Sequence, residues 1–347
     1  MIVVRATGTP FERGRAIGRG LGEAIEHSLA FVRRYLDVHG VGAHGLDHVV
    51  APYVATAEDA VPQLVEQLRG MAEGAEQPFT MIVAANAFEE IYGQVELGTP
   101  APQPLERCTD VVIDGPDGPL LGHTEQWYAG DQGAVGIVID VADDGATVLA
   151  PVVAGTLPLV GTNGFGVAVG AMSLSARDER IGIPRALVAR DVLDARDAAD
   201  ATARATRLGR AGGYTYQLAF PDGESRVVET TATRDAVMAA NVHTNHALDP
   251  FVAEVTLPAA PGSLGRYERA ASLIEATEPT RAGVIAILAD HEAQPQSICV
   301  HPDPVDGDEG STILFAMVAE PASRSLTITS GHACTGEFET FSLDDFR

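Results

Sequence analysis

The chain has no lysine: all 23 of its basic residues are arginines. Lysine Schiff bases and lysine-anchored pyridoxal phosphate are therefore excluded as chemistry. Positive charge is also scarce. Against 48 acidic residues it leaves a formal net charge of −25, which opposes polyanions, so nucleic acid and anionic membrane surfaces are poor partners and an acidic small substrate needs a local arginine. Cysteine is equally sparse. Cys108, Cys299 and Cys334 form an odd, widely spaced set without a CxxC pair, which is no disulfide framework and suits a reducing compartment. No stretch approaches the roughly 18 apolar residues of a membrane span. The start, Met1-Ile2-Val3-Val4-Arg5, lacks the basic opening and long apolar core of a signal peptide, so a cytoplasmic protein is expected.

What is present is a globular composition. With 347 residues, 46% hydrophobic and 20% charged, the chain can bury a large core in one big domain or two medium ones. Residues 8–95 read as helical. Thr9 as N-cap, Pro10 at the first helical position and Glu12 three residues after the cap form a capping box that starts a helix running toward Val38. Apolar residues recur at helical spacing through Val54, Val61, Leu64, Leu68 and Met71, and again through Ile82, Ala85, Phe88 and Ile91, giving three helices. A Pro-rich stretch from Gly98 to Pro104 then reads as an exposed linker.

From Cys108 the texture changes to strands. Val111 to Ile113, a Gly-rich turn over 114–118 and Leu120 to Gly122 predict a hairpin. Further strands are predicted over 135–141, 147–153, 167–172, 214–220, 226–230, 313–318 and 325–329. Helices interrupt them from Pro184 to about Ala195 and on to about Leu208, and Ser263 and Thr280 cap two more. This order implies antiparallel sheets covered by helices, an α+β layering rather than a doubly wound sheet. The Gly161-Thr162-Asn163-Gly164-Phe165-Gly166 segment has the outline of a dinucleotide loop, but a strand and not a helix follows, so no nucleotide cofactor is expected there.

Few residues could carry chemistry. Cys108 opens a strand directly after Arg107, a position that suits a buried small hydrophobe. A second reading is open: if the backbone is cut before Cys108, its freed α-amine, with an ordinary pKa near ~7.7–8.0, can take the proton from its own thiol. In His243-Thr244-Asn245-His246 no carboxylate or cysteine stands at ligand spacing, so structural histidines are expected rather than a metal. The Asn245 amide can donate to a developing oxyanion, an interaction worth roughly 2.7–4 kcal/mol in a dry site. His123-Thr124-Glu125-Gln126-Trp127 is placed at the end of the hairpin's second strand, beside Cys108, where its side chains either line a pocket or meet solvent. His39, His44 and His48 among Gly40, Gly42 and Gly45 read as a flexible loop.

Gly8-Thr9-Pro10-Phe11-Glu12-Arg13-Gly14, Cys108-Thr109, Gly122-His123, Gly161-Thr162-Asn163 before Gly166, His243-Thr244-Asn245-His246 and Ser297-Ile298-Cys299 occur in one order along the chain. In these residues it resembles the acyl-CoA:6-aminopenicillanic acid acyltransferase family of N-terminal-nucleophile hydrolases, over essentially its whole length. The resemblance implies a four-layer αββα fold made as one precursor. That precursor would cut itself before Cys108 into an α-chain, residues 1–107, and a β-chain, residues 108–347, which stay together as one integrated domain. It further implies Cys108 as nucleophile of both self-cleavage and catalysis, Asn245 as the oxyanion-hole side chain, and acyl transfer or hydrolysis on the nitrogen of a small molecule, in secondary metabolism. No metal or cofactor is implied.

Three departures from the family pattern stand out. Gln126 occupies the place of an expected aspartate, Glu309 that of an expected arginine, and Arg107 that of the small residue that usually precedes the nucleophile. From the first two comes the expectation that the Gln126 amide donates to Glu309, and that Glu309 in the pocket repels a carboxylate and tolerates a cationic amine. His123, Glu125, Gln126, Trp127, His243, Thr244 and Glu309 are accordingly expected to bind substrate or support the site. The competing reading, from another class, keeps the fold as a non-catalytic binding or scaffold protein.

Overall fold

The computed structural model describes residues 1–38, 40, 43–97, 107–303 and 305–346. Strand β1 (Ile2–Gly8) precedes the helices α1 (Pro10–Gly20), α2 (Gly22–Val38), α3 (Ala43–Ala60), α4 (Pro62–Gly74), α5 (Phe79–Asn86) and α6 (Phe88–Leu97). The capping box forms as its sequence requires: Thr9 Oγ1 accepts from the Glu12 amide while the Glu12 carboxylate accepts from the Thr9 amide. The single helix predicted to reach Val38 is two, broken at Leu21 between Gly20 and Gly22, where propensity is weakest. Six helices therefore stand where the apolar spacing predicted three. His48 lies in α3 rather than in a loop; His39 and the Pro-rich linker lie outside the described residues.

The rest of the chain supplies β2 (Thr109–Gly115), β3 (Gly118–Tyr128), β4 (Val135–Ala142), β5 (Thr147–Val153), β6 (Gly161–Asn163), β7 (Ala168–Leu174), α7 (Arg185–Val192) and α8 (Ala198–Ala205). Then come β8 (Gly213–Ala219), β9 (Ser225–Thr230), β10 (Asp235–Met238), β11 (Val242–His243), α9 (Pro250–Ala253), α10 (Pro261–Ala276), α11 (Arg281–Leu288), β12 (Ser311–Glu320), β13 (Ser325–Ser330) and β14 (Glu339–Ser342). Each long strand predicted from alternation is present. The short β6, β10, β11 and β14 carry too few residues for a period to show.

These strands build two sheets, ordered β1-β4-β5-β6-β7-β8-β9-β10 and β11-β2-β3-β12-β13-β14. The β1–β4 pairing is parallel. The sheets face each other; α1 covers β1 and β4 and α7 covers β8 on one outside, while α10 and α11 cover β2, β3 and β12 on the other. This is the α+β, four-layer αββα architecture. Asn163 shapes the loop after β6, donating to the Leu193 and Ala195 carbonyls and accepting from the Phe165 and Val167 amides, and the strand β7 follows it as the sequence predicts.

The two-residue period of the β2–β3 hairpin decides what reaches the site. Val111, Ile113 and Leu120 turn toward α10 and α11, whereas Val112 and Leu121 turn into the gap between sheets. By the same alternation Cys108 and Asp110 face the gap, as do His123, Glu125 and Trp127. Gly170 on β7 must stay bare, because a Cβ there would come within 2.2 Å of the Asp110 carboxylate. Gly170→Ala is expected to cost about 1–3 kcal/mol by overpacking. Urea unfolding measures this, with Gly22→Ala, which meets open space, as the matched control; equal midpoints would mean the gap can relax.

Candidate active site

Cys108 is buried and lines a cavity between the sheets together with Phe31, Phe88, Glu125, Trp127 and Phe315. The hairpin sets its neighbours. Asp110 pairs directly with His123 and Thr109 with Thr124. The Asp110 Oδ1 to His123 Nδ1 distance is 2.6 Å, His123 Nε2 lies 3.3 Å from Glu125 Oε2, and the Cys108 thiol donates to Glu125 Oε1 at 3.5 Å. Burial alone would lower the His123 pKa, but the Asp110 and Glu125 carboxylates outweigh it and raise it to about 9. The ring is thus an imidazolium held between two carboxylates. Burial, followed by the charge of Glu125 and the more distant Asp110 and Glu89, pushes the Cys108 thiol well up, which favours its protonated form. Cys108, His123 and Glu125 offer three ligand atoms within 4.8 Å of one another. Their contacts with one another, thiol to carboxylate and carboxylate to imidazole, also give the trio a route for a proton.

The His243-to-His246 stretch reaches the same place by another route. β11 pairs with β2, His243 opposite Asp110. Ser263, in the first turn of α10, accepts from the Asn245 amide at 2.9 Å and meets Thr244 Oγ1 at 3.0 Å and His246 Nδ1 at 2.8 Å. One turn on, Arg266 donates to Asn245 Oδ1 at 2.8 Å and to Thr109 Oγ1 at 3.2 Å. Asn245 Oδ1 also accepts from the Arg107 amide at 2.8 Å, and its Nδ2 donates to the Ser173 carbonyl at 3.0 Å. Three partners agree on which end of the carboxamide is oxygen. His243 is structural: its Nε2 lies 2.7 Å from Glu229.

Arg107 is buried. Its guanidinium lies 3.7 Å from the Trp127 ring centroid and 4.3 Å from that of Tyr128, within electrostatic reach of Asp131. The cavity wall beyond is acidic. Arg185 is its one lining arginine among the described residues, and Glu89, Glu90 and Glu179 already surround it at 3.5, 2.9 and 2.8 Å. Among the described residues that line the cavity, no arginine without a carboxylate partner remains.

Two expectations fail here. The hairpin's second strand does not end before His123 but runs through Tyr128, so residues 123–127 are strand residues and not a strand end. The predicted Gln126–Glu309 contact does not form: Gln126 points to the opposite face from Cys108 and donates to Ser311 Oγ at 2.8 Å, while Glu309 is exposed on a 3-10 turn. The side chain that meets the sulfur is that of Glu125, while Gln126 reaches it only through its backbone N–H, because a strand reverses faces at each residue. Reading the sequence also missed Asp110, Ser263, Arg266 and the Glu89-Glu90 pair. The i, i+3 spacing of Ser263 and Arg266 was the one available signal; Ser263 itself is not the expected cap, since the helix starts at Pro261 with Ala260 at its N-cap and no side-chain cap.

The site is thus a buried thiol facing a cavity between two sheets, with helices outside both. Residues 115–333 match the acyl-coenzyme A:6-aminopenicillanic acid acyl-transferase family, and the chain belongs to that family. The matched stretch contains Asn245 and leaves Cys108 outside it. Penicillin V acylase from Agrobacterium tumefaciens is similar at 16% identity and a TM-score of 0.49, covering 68% of this chain and 86% of its own. A point mutant of the conjugated bile acid hydrolase from Clostridium perfringens is similar at 12% identity and a TM-score of 0.47, covering 69% and 93%.

The raised His123 pKa has a stability consequence. A group that binds its proton more tightly when folded stabilises fully below its unfolded pKa, roughly 6.5 for histidine, and loses that contribution as pH rises through the folded value of about 9. The urea midpoint is therefore expected to fall between these pH values, and to fall less in His123→Gln. Identical slopes would mean that the ring is neutral.

Proposed function

We propose that the chain is a self-processing cysteine amidohydrolase or acyltransferase, residues 1–107 and 108–347 being its two products, acting on small N-acyl compounds. The observation that carries this reading is the scissile peptide itself. The Arg107 N–H is held by Asn245, the next residue's thiol touches Glu125, and Cys108 and Glu125 line the cavity. Before cleavage the Cys108 nitrogen is an amide and cannot act as a base. Glu125 is then the group that takes the thiol proton.

The thiolate attacks the Arg107 carbonyl carbon, the C–N bond to Cys108 breaks as the nitrogen gains a proton, and a thioester results. Water cleaves it, leaving the Arg107 carboxylate, the free thiol and a free α-amine. In turnover that amine takes the thiol proton, the sulfur attacks the substrate's acyl carbon, the acyl C–N bond breaks as the departing amine takes that proton, and the thioester so formed passes its acyl group to water or a second amine. The amide proton of Asn245 Nδ2 not given to Ser173 serves the oxyanion.

Self-cleavage and turnover attack carbonyls at one place, so the substrate's acyl chain takes the path of the Arg107 side chain. That path ends on Trp127 and Tyr128 with Asp131 nearby, a site for a cation. The preferred acyl group carries a terminal guanidinium or ammonium.

Intact mass is expected to show two fragments meeting between Arg107 and Cys108, a single chain in Cys108→Ala, and slowed cleavage in Glu125→Gln; a wild-type cleavage rate in Glu125→Gln would remove its role. For the processed enzyme, Asn245→Ala is expected to lower kcat about 10²–10³-fold. An ω-guanidino acyl amide should exceed its neutral isostere about tenfold in kcat/KM. Equal rates on the pair would overturn the acyl-site assignment and leave the nucleophile standing.

A further inference from the structure

Away from the Cys108 cavity, three separate segments converge. They are the turn after α11, the stretch leading into β12 and the turn after β13, bringing His291, Cys299, His301 and Cys334 together with one ligand atom each, all within 4.8 Å of one another. The Cys299 and Cys334 sulfurs are 3.8 Å apart, and His301 Nε2 lies 3.9 Å from the first, 3.3 Å from the second and 2.9 Å from His291 Nε2. Tetrahedral zinc, with Zn–S of about 2.3 Å and Zn–N of about 2.0–2.1 Å, spaces its ligands by about 3.8 Å for two sulfurs and about 3.3–3.6 Å for pairs that include nitrogen.

Hydrogen bonding alone does not account for the cluster. His301 Nε2 has a single site, one proton or one lone pair, yet three atoms converge on it. A cation at the centre satisfies all four. The supports are those of a ligand set rather than of loose side chains. The Cys299 amide donates to the Asp290 carbonyl at 2.9 Å, and Arg269 clamps the Asp290 carboxylate. The His332 ring stacks on His301 with centroids 3.9 Å apart, its own Nε2 lying 2.9 Å from Thr312 Oγ1. Such outer partners fix a ligand's orientation before the metal arrives.

We propose that His291, Cys299, His301 and Cys334 form a structural zinc site. Two thiolates and two neutral imidazoles balance the charge of one Zn²⁺, and binding releases the two thiol protons. All four positions are filled by protein, which makes the ion a staple and not a catalyst. The sequence reading expected no metal, because it looked for ligands at short spacing and these lie up to 43 positions apart, 291 to 334. The cluster shares no residue with the Cys108 cavity, and its assignment does not rest on the proposed activity.

The test is elemental analysis of the untagged full-length chain produced with added zinc. About one zinc per chain is expected, falling below about a tenth in Cys299→Ser/Cys334→Ser and kept in Cys108→Ala. Cobalt substitution of the wild-type chain reads the same ligands should the double variant fail to fold, through a thiolate-to-cobalt charge-transfer band and tetrahedral d–d bands. The proposal is overturned by a folded wild-type chain with less than about a tenth of a zinc and no cobalt–thiolate band, by a Cys299–Cys334 disulfide in the non-reduced peptide map, or by metal that leaves with Cys108→Ala and stays in the double variant.

Discussion

One hydrogen-bonded ion pair across a strand pair, His123 Nδ1 to Asp110 Oδ1 at 2.6 Å, organises the site. Both groups are fully buried in the gap between the sheets, where either charge alone would be costly and the pair is tolerated only because its geometry is good. The two residues are also directly opposed in the hairpin register. A slip of one residue would turn His123, Glu125 and Trp127 toward α10 and α11 and take Cys108 from its partners. The contact that compensates buried charge therefore also fixes register, and the bare Gly170 on the facing sheet leaves it room.

Most of the scaffold was legible from the sequence because its elements are long enough to show a period. The capped start of α1, seven long strands and the Thr280-capped α11 all rest on local chemistry. What escaped depends on other elements. β1 hides because its seven residues show no clean alternation, and its parallel partner β4 lies more than a hundred residues on. At the site, Cys108 and Asn245 were legible as residue types. Glu125 was named only as a supporting residue, because aligning motif positions assigned the acid's place to Gln126, while the pleat assigns it to the neighbour. A β-bulge in β12 opposite Glu125 and Gln126 adds a shift no sequence pattern announces.

Arg107 is the residue whose meaning changes most. By sequence it is an obstacle, too large for the position before a nucleophile. In the fold it is an occupant, its guanidinium on Trp127 and Tyr128 and its amide on Asn245. On the proposed reading, those contacts hold the carbonyl that the Cys108 sulfur would attack. A large side chain in a matching site costs less than a small one left unanchored, since the positioning entropy is met by binding. In the proposed acyl site the same aromatic faces would receive the acyl chain of a substrate.

The converging metal-ligand cluster bears on that acyl site through β12. Thr312 meets His332, which stacks on His301, and pairs in register with Trp127; Ser311 beside it holds Gln126. Phe315, on the same strand, lies against His123 and walls the cavity. A closed four-ligand ion at this end would brace the Trp127 side of β3, whereas Cys108 depends on the β2 side of the hairpin and on α10. Loosening the staple should therefore reach the aromatic cation site before it reaches the sulfur. Acyl-group recognition would weaken first, raising KM, while the Asp110–His123–Glu125 array and its proton transfer stay in register.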